Sequence, residues 1–309
     1  MRKIIITGAT GLIGTHICEE LSNRGDELTI FSRNIDKAKS RLPFANEYVE
    51  WNYGKPDEWK NQLNSKDAVI HLAGANLFGK RWTEDYKKKI IESRESSTRN
   101  IVNAIAEAKV KPKVFICASG VGYYGDSGDN VLTENSSPGN SFIAEVCKSW
   151  EGIASEVEKF GVRSVSIRTA IVLDKKEGAL EKMILPFKFF VGGTLSSGKQ
   201  WFPWIHIQDL VKIYLFALDN NEINGGVNAS SPNPVRLKEL TDEIGKILRR
   251  PSFFKVPAFA LKIALGEFAD EVLASIKVIP EKLEKHNFNF EFGNLRNALE
   301  DLLKGSSTG

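Results

Sequence analysis

The sequence predicts an α/β fold, a Rossmann-type doubly wound parallel sheet with a smaller C-terminal α+β lobe. Apolar runs at residues 4–7, 28–32, 68–72, 114–118 and 164–168 alternate with helical periods, the pattern of parallel strands joined by crossover helices. The first run breaks into Gly8, Gly11 and Gly14 at three-residue spacing before an amphipathic stretch. After residue 173 the alternation gives way to proline-punctuated, aromatic-rich segments. Residues 1–173 are therefore expected to form the first domain, with later segments free to return to it. Residues 174–304 are expected to supply the second lobe, and 305–309 a disordered tail or cloning remnant.

The first element reads Lys3-Ile4-Ile5-Ile6-Thr7-Gly8-Ala9-Thr10-Gly11-Leu12-Ile13-Gly14. Its apolar run suits a buried parallel strand. Gly8 permits the sharp turn out of it, Gly11 lets backbone approach a pyrophosphate, and Gly14 lets the following helix pack closely. That helix aims the N–H groups of its first turn at the phosphates. Thr7, Gly8, Thr10, Gly11, Leu12, Ile13 and Gly14 are accordingly the candidate dinucleotide cradle.

The second strand ends Thr29-Ile30-Phe31-Ser32-Arg33-Asn34. A carboxylate at that end favours the free 2′-hydroxyl of NAD. Here Asp26 and Glu27 precede the strand, whereas Ser32 and Arg33 close it, and a guanidinium there can fork onto a 2′-phosphate. NADP(H) is expected over NAD, one charge-assisted bond of about 1.5–3 kcal/mol giving roughly ten- to a hundredfold discrimination. Asn52, after Val49-Glu50-Trp51, either meets the adenine edge or is a plain loop residue.

Residues 83–108 read as a long helix with Thr83 as N-cap and Glu84 and Asp85 in its first turn. Residues 141–160 read as another, stopped by Gly161 in a left-handed C-cap. The second lobe carries short strands at 227–229 and 253–256 and helices near 237–249, 258–274 and 295–304.

Lys plus Arg number 42 and Asp plus Glu 39, so no net field invites nucleic acid or acidic lipid. Cys18, Cys117 and Cys147 form no CxxC pair, which suits a reducing compartment. No metal site is expected from four histidines, although His206 and Asp209 lie three residues apart at a helix start. Asp209 is expected instead to cap that helix or pair with a base. The first strand leaves no room for a signal peptide, and no apolar run approaches membrane-spanning length. The expectation is a cytoplasmic monomer or homodimer with a small-molecule substrate, no nucleic-acid partner and no membrane.

Six ordered markers carry a family resemblance. They are Thr7 to Gly14, His71-Leu72-Ala73-Gly74-Ala75-Asn76, Arg81-Trp82-Thr83, Ser119-Gly120-Val121-Gly122-Tyr123-Tyr124-Gly125, Trp204-Ile205-His206-Ile207-Gln208-Asp209, and Asn228-Ala229-Ser230-Ser231-Pro232-Asn233-Pro234-Val235. Over residues 1–304 the chain resembles an extended short-chain dehydrogenase/reductase, in the atypical branch called epimerase family proteins. The resemblance adds Leu72, Ala73 and Gly74 to the cofactor candidates. It also implies a Ser/Thr and a Tyr with a Lys four residues later, one helical turn apart, so that an ammonium acidifies the phenol.

The chain departs from that pattern. Aligned on Glu151, Ile143 stands at the tyrosine place and Cys147 at the lysine place. Lys148 points roughly 100° away on a helix. Ser119 falls near the serine place, although setting Tyr124-Gly125 on the usual Tyr-Gly puts Gly120 there. Tyr123 or Tyr124 is either a replacement phenol or packing at the cleft mouth. With a pKa of about 10, an unassisted phenol is ionised in about one molecule per thousand at neutral pH, so a catalytic role needs a cation such as Arg81 or Arg94.

Substrate candidates are Asn76 and Arg81 from one loop, Trp201 and Trp204 from another, and Arg168 at a strand end. The two tryptophans either line a cleft or fasten the lobes, and Arg168 either binds substrate or forms a buried ion pair. The reading is an NADP(H)-dependent oxidoreductase or epimerase-like enzyme acting on a small polar or aromatic metabolite. The alternative is a catalytically silent NADPH-binding sensor.

Overall fold

A computed structural model describes residues 1–77, 79–175 and 177–304. The tail expected at 305–309 lies outside the described residues. Seven strands, β1 (Lys3–Thr7), β2 (Glu27–Ser32), β3 (Glu47–Glu50), β4 (Ala68–His71), β5 (Val114–Gly120), β6 (Arg163–Thr169) and β7 (Gly225–Ala229), form one sheet in the order β7-β6-β5-β4-β1-β2-β3. Pairings from β3 through β5 are parallel, with Ile4 opposite both Leu28 and Ala68. Ile4, Ile5 and Ile6 are fully buried, as a strand covered by helices on both faces requires. The strand order reverses between β1 and β4, and ligands of open α/β sheets bind at such a switch point.

The helices are α1 (Leu12–Asn23), α2 (Ile35–Arg41), α3 (Glu84–Glu107), α4 (Phe142–Ser155), α5 (Ala179–Lys188), α6 (Ile207–Asp219), α7 (Leu237–Leu248) and α8 (Ala258–Leu265), then the shorter Phe268–Leu273 and Glu281–Lys285 and the C-terminal Leu295–Lys304. Thr83 caps α3 as its sequence predicts, its hydroxyl accepting from the Tyr86 N–H at 3.2 Å. After α4 a 3₁₀ segment, Glu156–Phe160, ends at Gly161 with φ +75°, the left-handed stop expected there.

The chain divides into two compact units, each discontinuous in sequence. One holds Met1–Ser119, Val146–Arg168 and Val211–Val227; the other holds Gly120–Glu145, Thr169–Leu210 and the chain from Asn228 onward. The sequence put the boundary at residue 173 with later segments free to return, and Val211–Val227 is such a segment, while Gly120–Glu145 belongs to the second unit. The run at 227–229, read as a strand of the second lobe, is part of β7 in the central sheet.

In the first unit Phe31, Trp51, Trp59, Ile105, Phe115 and Trp150 share one core. In the second, Leu173, Leu180, Phe187, Trp204, Leu240 and Leu299 share another. Short strand pairs complete the second unit, among them Phe254–Val256 beside Gly193–Leu195. Asp209 stands in the first turn of α6. Its two carboxylate oxygens accept from the Glu291 and Phe292 N–H groups at 2.9 Å each, tying the C-terminal segment to α6. His206 stacks on Phe292 with ring centroids 3.9 Å apart. Among the described residues, no helix is long and apolar enough to cross a membrane.

Candidate cofactor site and the missing acid–base pair

At Gly8 and Gly14 the turn leaving β1 has no room for a side chain. Gly8 sits at φ +68°, and a Cβ there would lie 2.8 Å from the Leu72 carbonyl carbon and 2.9 Å from Ala73 N. A Cβ on Gly14 would lie 2.6 Å from Ala9 Cα and from Gly8 O. Gly11 differs, since a Cβ would meet only Gly8 O at 3.3 Å, so its smoothness faces outward rather than into packed backbone. As N-cap of α1, Gly11 offers no side-chain acceptor, so the first-turn N–H groups are left for an anion. Thr10, Leu12 and Ile13 are half-buried around this turn. The donor set fits a pyrophosphate.

Thr7 locks the turn to the neighbouring strand. Its Oγ1 shares a hydrogen bond with His71 Nδ1 at 2.7 Å and accepts from Ala73 N at 3.3 Å, while Leu72 N donates to Thr7 O at 3.2 Å. His71 is fully buried; burial, then the charge of Arg94, pushes its pKa down to about 3. Its ring is therefore neutral at physiological pH and serves to hold the cradle. Gly74 continues the loop at the surface.

At the end of β2, the Ser32 hydroxyl donates to Asn34 O at 3.0 Å, and Asn34 caps α2 by accepting from Lys37 N at 2.8 Å. Arg33 is exposed between them and has no carboxylate partner among the described residues. Asn52 closes a local turn, accepting from Gly54 N at 3.0 Å and, through its own carbonyl, from Trp59 Nε1 at 2.8 Å. That geometry gives the loop reading of its side-chain oxygen.

The expected acid–base pair is replaced by apolar packing. Ile143 is 7% exposed, and a side chain on Gly122 would lie 2.5 Å from its Cγ2. Cys147 is buried. Ser119 donates to Glu151 Oε1 at 2.7 Å, so its hydroxyl proton is already committed. The Arg168 fork binds Glu151 as well, Nε to Oε1 at 2.9 Å and Nη2 to Oε2 at 2.8 Å. Of the two readings of Arg168, the ion pair is the one its geometry gives.

Tyr124 is 3% exposed and donates to Asn228 Oδ1 at 2.6 Å. Asn228 in turn donates from its backbone to Glu134 and from its amide to Ile279 O, at 3.0 Å each. The phenol belongs to a buried structural network, which gives the packing reading of Tyr124. Tyr123 is half-buried, its ring 5.2 Å from that of Tyr124 and edge-on.

Arg94, one of the two cations the sequence offered for a phenol, is a buried charge. The Arg94 guanidinium donates to Ile90 O and Ala75 O at 3.1 Å each and lies 5.0 Å from the Trp150 ring. No carboxylate neutralises it among the described residues. A Cβ on Gly74 would come within 3.1 Å of Arg94 Cζ, so this cation supports the backbone of the Gly74 loop from below.

Arg81 opens on a surface hollow of about 430 Å³ that Lys80, Thr83, Asp85, Tyr86 and Lys89 also line. Three cations against one acid favour an anionic group. Asn76 is exposed on the same loop, its carbonyl accepting from the Tyr86 hydroxyl at 2.5 Å. In the second unit Trp201 is gripped on its ring by Arg236 at 4.3 Å and Lys277 at 4.4 Å, and its Nε1 donates to Asp129 at 2.7 Å. Cations already occupy its π-face. Trp204, expected at a substrate cleft, is corrected to a core residue: it is 1% exposed in the Leu173, Leu180 and Leu240 cluster.

Residues 4–229 match the NAD dependent epimerase/dehydratase family, and residues 256–302 match a domain of unknown function, DUF1731. The chain is 40% identical over 303 residues to the Arabidopsis thaliana epimerase family protein SDR39U1 homolog, chloroplastic, covering 97% of this chain and 86% of that one. It is 36% identical over 308 residues to the epimerase family protein YfhF of Bacillus subtilis, with 99% of each covered. The crystal structure of human epimerase family protein SDR39U1 (isoform 2) with NADPH superposes with a TM-score of 0.86 at 31% identity, covering 98% of this chain and 99% of that one. UDP-glucuronic acid 4-epimerase from Bacillus cereus shares the fold, with a TM-score of 0.79 at 19% identity over 98% of each chain.

Proposed function

This chain belongs to the NAD dependent epimerase/dehydratase family, and from that premise we propose that it is an NADP(H)-dependent oxidoreductase or epimerase-like enzyme. Its substrate, in this reading, is a small polar or aromatic metabolite carrying an anionic group. The observation that carries the proposal is the β1 turn, where Gly8 and Gly14 leave no room for a Cβ and the α1 N–H groups lack a side-chain cap. The relative crystallised with NADPH supports the cofactor.

The pyrophosphate is assigned to the N–H groups of Leu12, Ile13 and Gly14, since the Gly11 N–H donates to Gly8 O at 3.0 Å, and the 2′-phosphate to Arg33 beside Ser32. Leu72, Ala73 and Gly74 form the opposite wall of the turn. When bound, the nicotinamide supplies hydride exchange with a substrate carbon. Arg94 holds a positive charge beneath the Gly74 loop, and the Arg81 hollow receives the anionic part of the substrate. With Ser119 and Tyr124 committed as donors elsewhere, Tyr123 or the substrate's own acidic group carries the proton. Three buried free thiols suit a reducing cytoplasm, with the protein as monomer or homodimer.

Titration with NADPH followed by its fluorescence, then single-turnover mixing with carbonyl, quinone and sugar-nucleotide compounds, tests the proposal. Tight binding and loss of the reduced-nicotinamide signal with one compound class is the expected result. A second reading, a silent NADPH-binding sensor, is favoured by Ile143 and Cys147 standing where acid–base chemistry is expected. Tight binding with no oxidation across the panel supports that reading, and failure to bind NADPH sinks both.

A further inference from the structure

Two segments of the second unit, 185–191 and 249–263, present large apolar side chains to solvent. Phe189 is 70% exposed, Phe253 73%, Phe259 67% and Ile263 72%. Backbone and ring contacts join residues 190–195 to 250–256. Strand Phe254–Val256 pairs with Gly193–Leu195, Phe254 N donates to Gly192 O at 3.2 Å, and Arg250 Cζ lies 4.2 Å from the Phe190 ring. Phe253 and Phe254 stack at 4.7 Å. Helix α8 follows directly, with Phe259 and Ile263 four residues apart on one face. Side chains two-thirds exposed protrude from the surface and do not line a groove. Monomeric soluble surfaces rarely carry so many neighbouring apolar groups.

The charges carried by these two segments are of one sign, whereas the short helix Phe268–Leu273 packed against α8 carries Asp270 and Glu271. Within the two segments stand Lys188, Arg249, Arg250, Lys255 and Lys262 and no Asp or Glu. Lys262 pairs with Asp270 at 2.9 Å, whereas the other four have no carboxylate partner among the described residues. An isologous contact between two copies places a patch against itself, and here it would set four unpaired cations against the same four. A bilayer bearing anionic headgroups meets both features: protruding Phe and Ile enter the interface, and the interleaved Lys and Arg remain at headgroup level.

We propose that the surface formed by Phe189, Phe190, Phe253, Phe254, Phe259 and Ile263, with Lys188, Arg249, Arg250 and Lys255, docks the protein on an anionic membrane surface. This makes the protein peripheral to a membrane, against the expectation of no membrane partner drawn from the absence of a spanning run. The docking stands independently of the cofactor reading, because none of these residues belongs to the β1 turn or to the Arg81 hollow.

Flotation of the full chain with vesicles of phosphatidylcholine alone, or containing about one-third phosphatidylglycerol, tests it. The expected result is binding to the anionic vesicles roughly tenfold or more stronger than to the neutral ones, weakening with salt. Phe259→Ser with Ile263→Ser, and separately Lys188→Glu with Lys255→Glu, should each reduce binding roughly tenfold while leaving NADPH affinity and melting temperature unchanged. No vesicle binding, equal binding to both compositions, or a dimer in light scattering that the Phe259→Ser, Ile263→Ser variant splits would overturn it.

Discussion

Ser119 gives its hydroxyl proton to Glu151 at 2.7 Å, and the same carboxylate is forked by Arg168 at 2.8 and 2.9 Å. A serine in this state accepts a hydrogen bond from a ligand but has no proton left to polarise a carbonyl.

Removing one member of the buried Glu151 and Arg168 pair strands the other charge. Glu151→Gln should destabilise the fold by about 3–5 kcal/mol, and adding Arg168→Met should recover part of the loss. Urea denaturation of the two variants measures this. Equal stability of Glu151→Gln and the parent would show that the pair is solvated in solution.

The cradle glycines should separate folding from binding. Gly14→Ala drives a Cβ to 2.6 Å from Ala9 Cα, and overpacking of that kind costs about 1–3 kcal/mol, so its melting temperature should fall. Gly11→Ala has room except for Gly8 O at 3.3 Å. Its fold should survive while NADPH affinity drops roughly tenfold or more, because the methyl occupies the approach of the phosphate.

Arg33→Ala should weaken NADPH binding roughly ten- to a hundredfold and spare NADH, as loss of one charge-assisted bond predicts. Calorimetric titration with both nucleotides decides it. Equal loss of both would remove Arg33 from the 2′-phosphate.

Tyr124→Phe leaves Asn228 Oδ1 without its buried donor and should cost about 1–3 kcal/mol of stability. Any turnover found with a substrate should keep its rate constant in this variant. A large fall in kcat with unchanged stability would return Tyr124 to the chemistry.

His71 gives stability a pH dependence. Its folded pKa, about 3, lies below the ordinary value near 6.5, so the unfolded chain binds the extra proton first. The contribution is full above about pH 6.5 and is lost progressively as pH falls toward 3, with a slope of at most about 1.4 kcal/mol per pH unit. Denaturation between pH 7 and pH 4 should show that slope, and His71→Gln should flatten it.

Local chemistry was legible in the sequence. The alternation of apolar runs with helical periods specified a parallel sheet, because buried strands and amphipathic helices leave different periods in one dimension. The Gly8, Gly11 and Gly14 spacing and the Thr83 and Gly161 caps are fixed by backbone geometry within a few residues, so they could be read directly. Partnerships across the chain were not. That Arg168 would meet Glu151, Tyr124 would meet Asn228, and Trp204 would be core depended on which distant segments fold together. So did the assignment of 225–229 to the central sheet and the joining of 190–195 to 250–256. Sequence alone determined the fold class and the glycine turn after the first strand, where periodicity and torsion angles act locally. Tertiary structure decided which polar groups are already paired and which apolar ones remain exposed, because burial is a property of the packed chain.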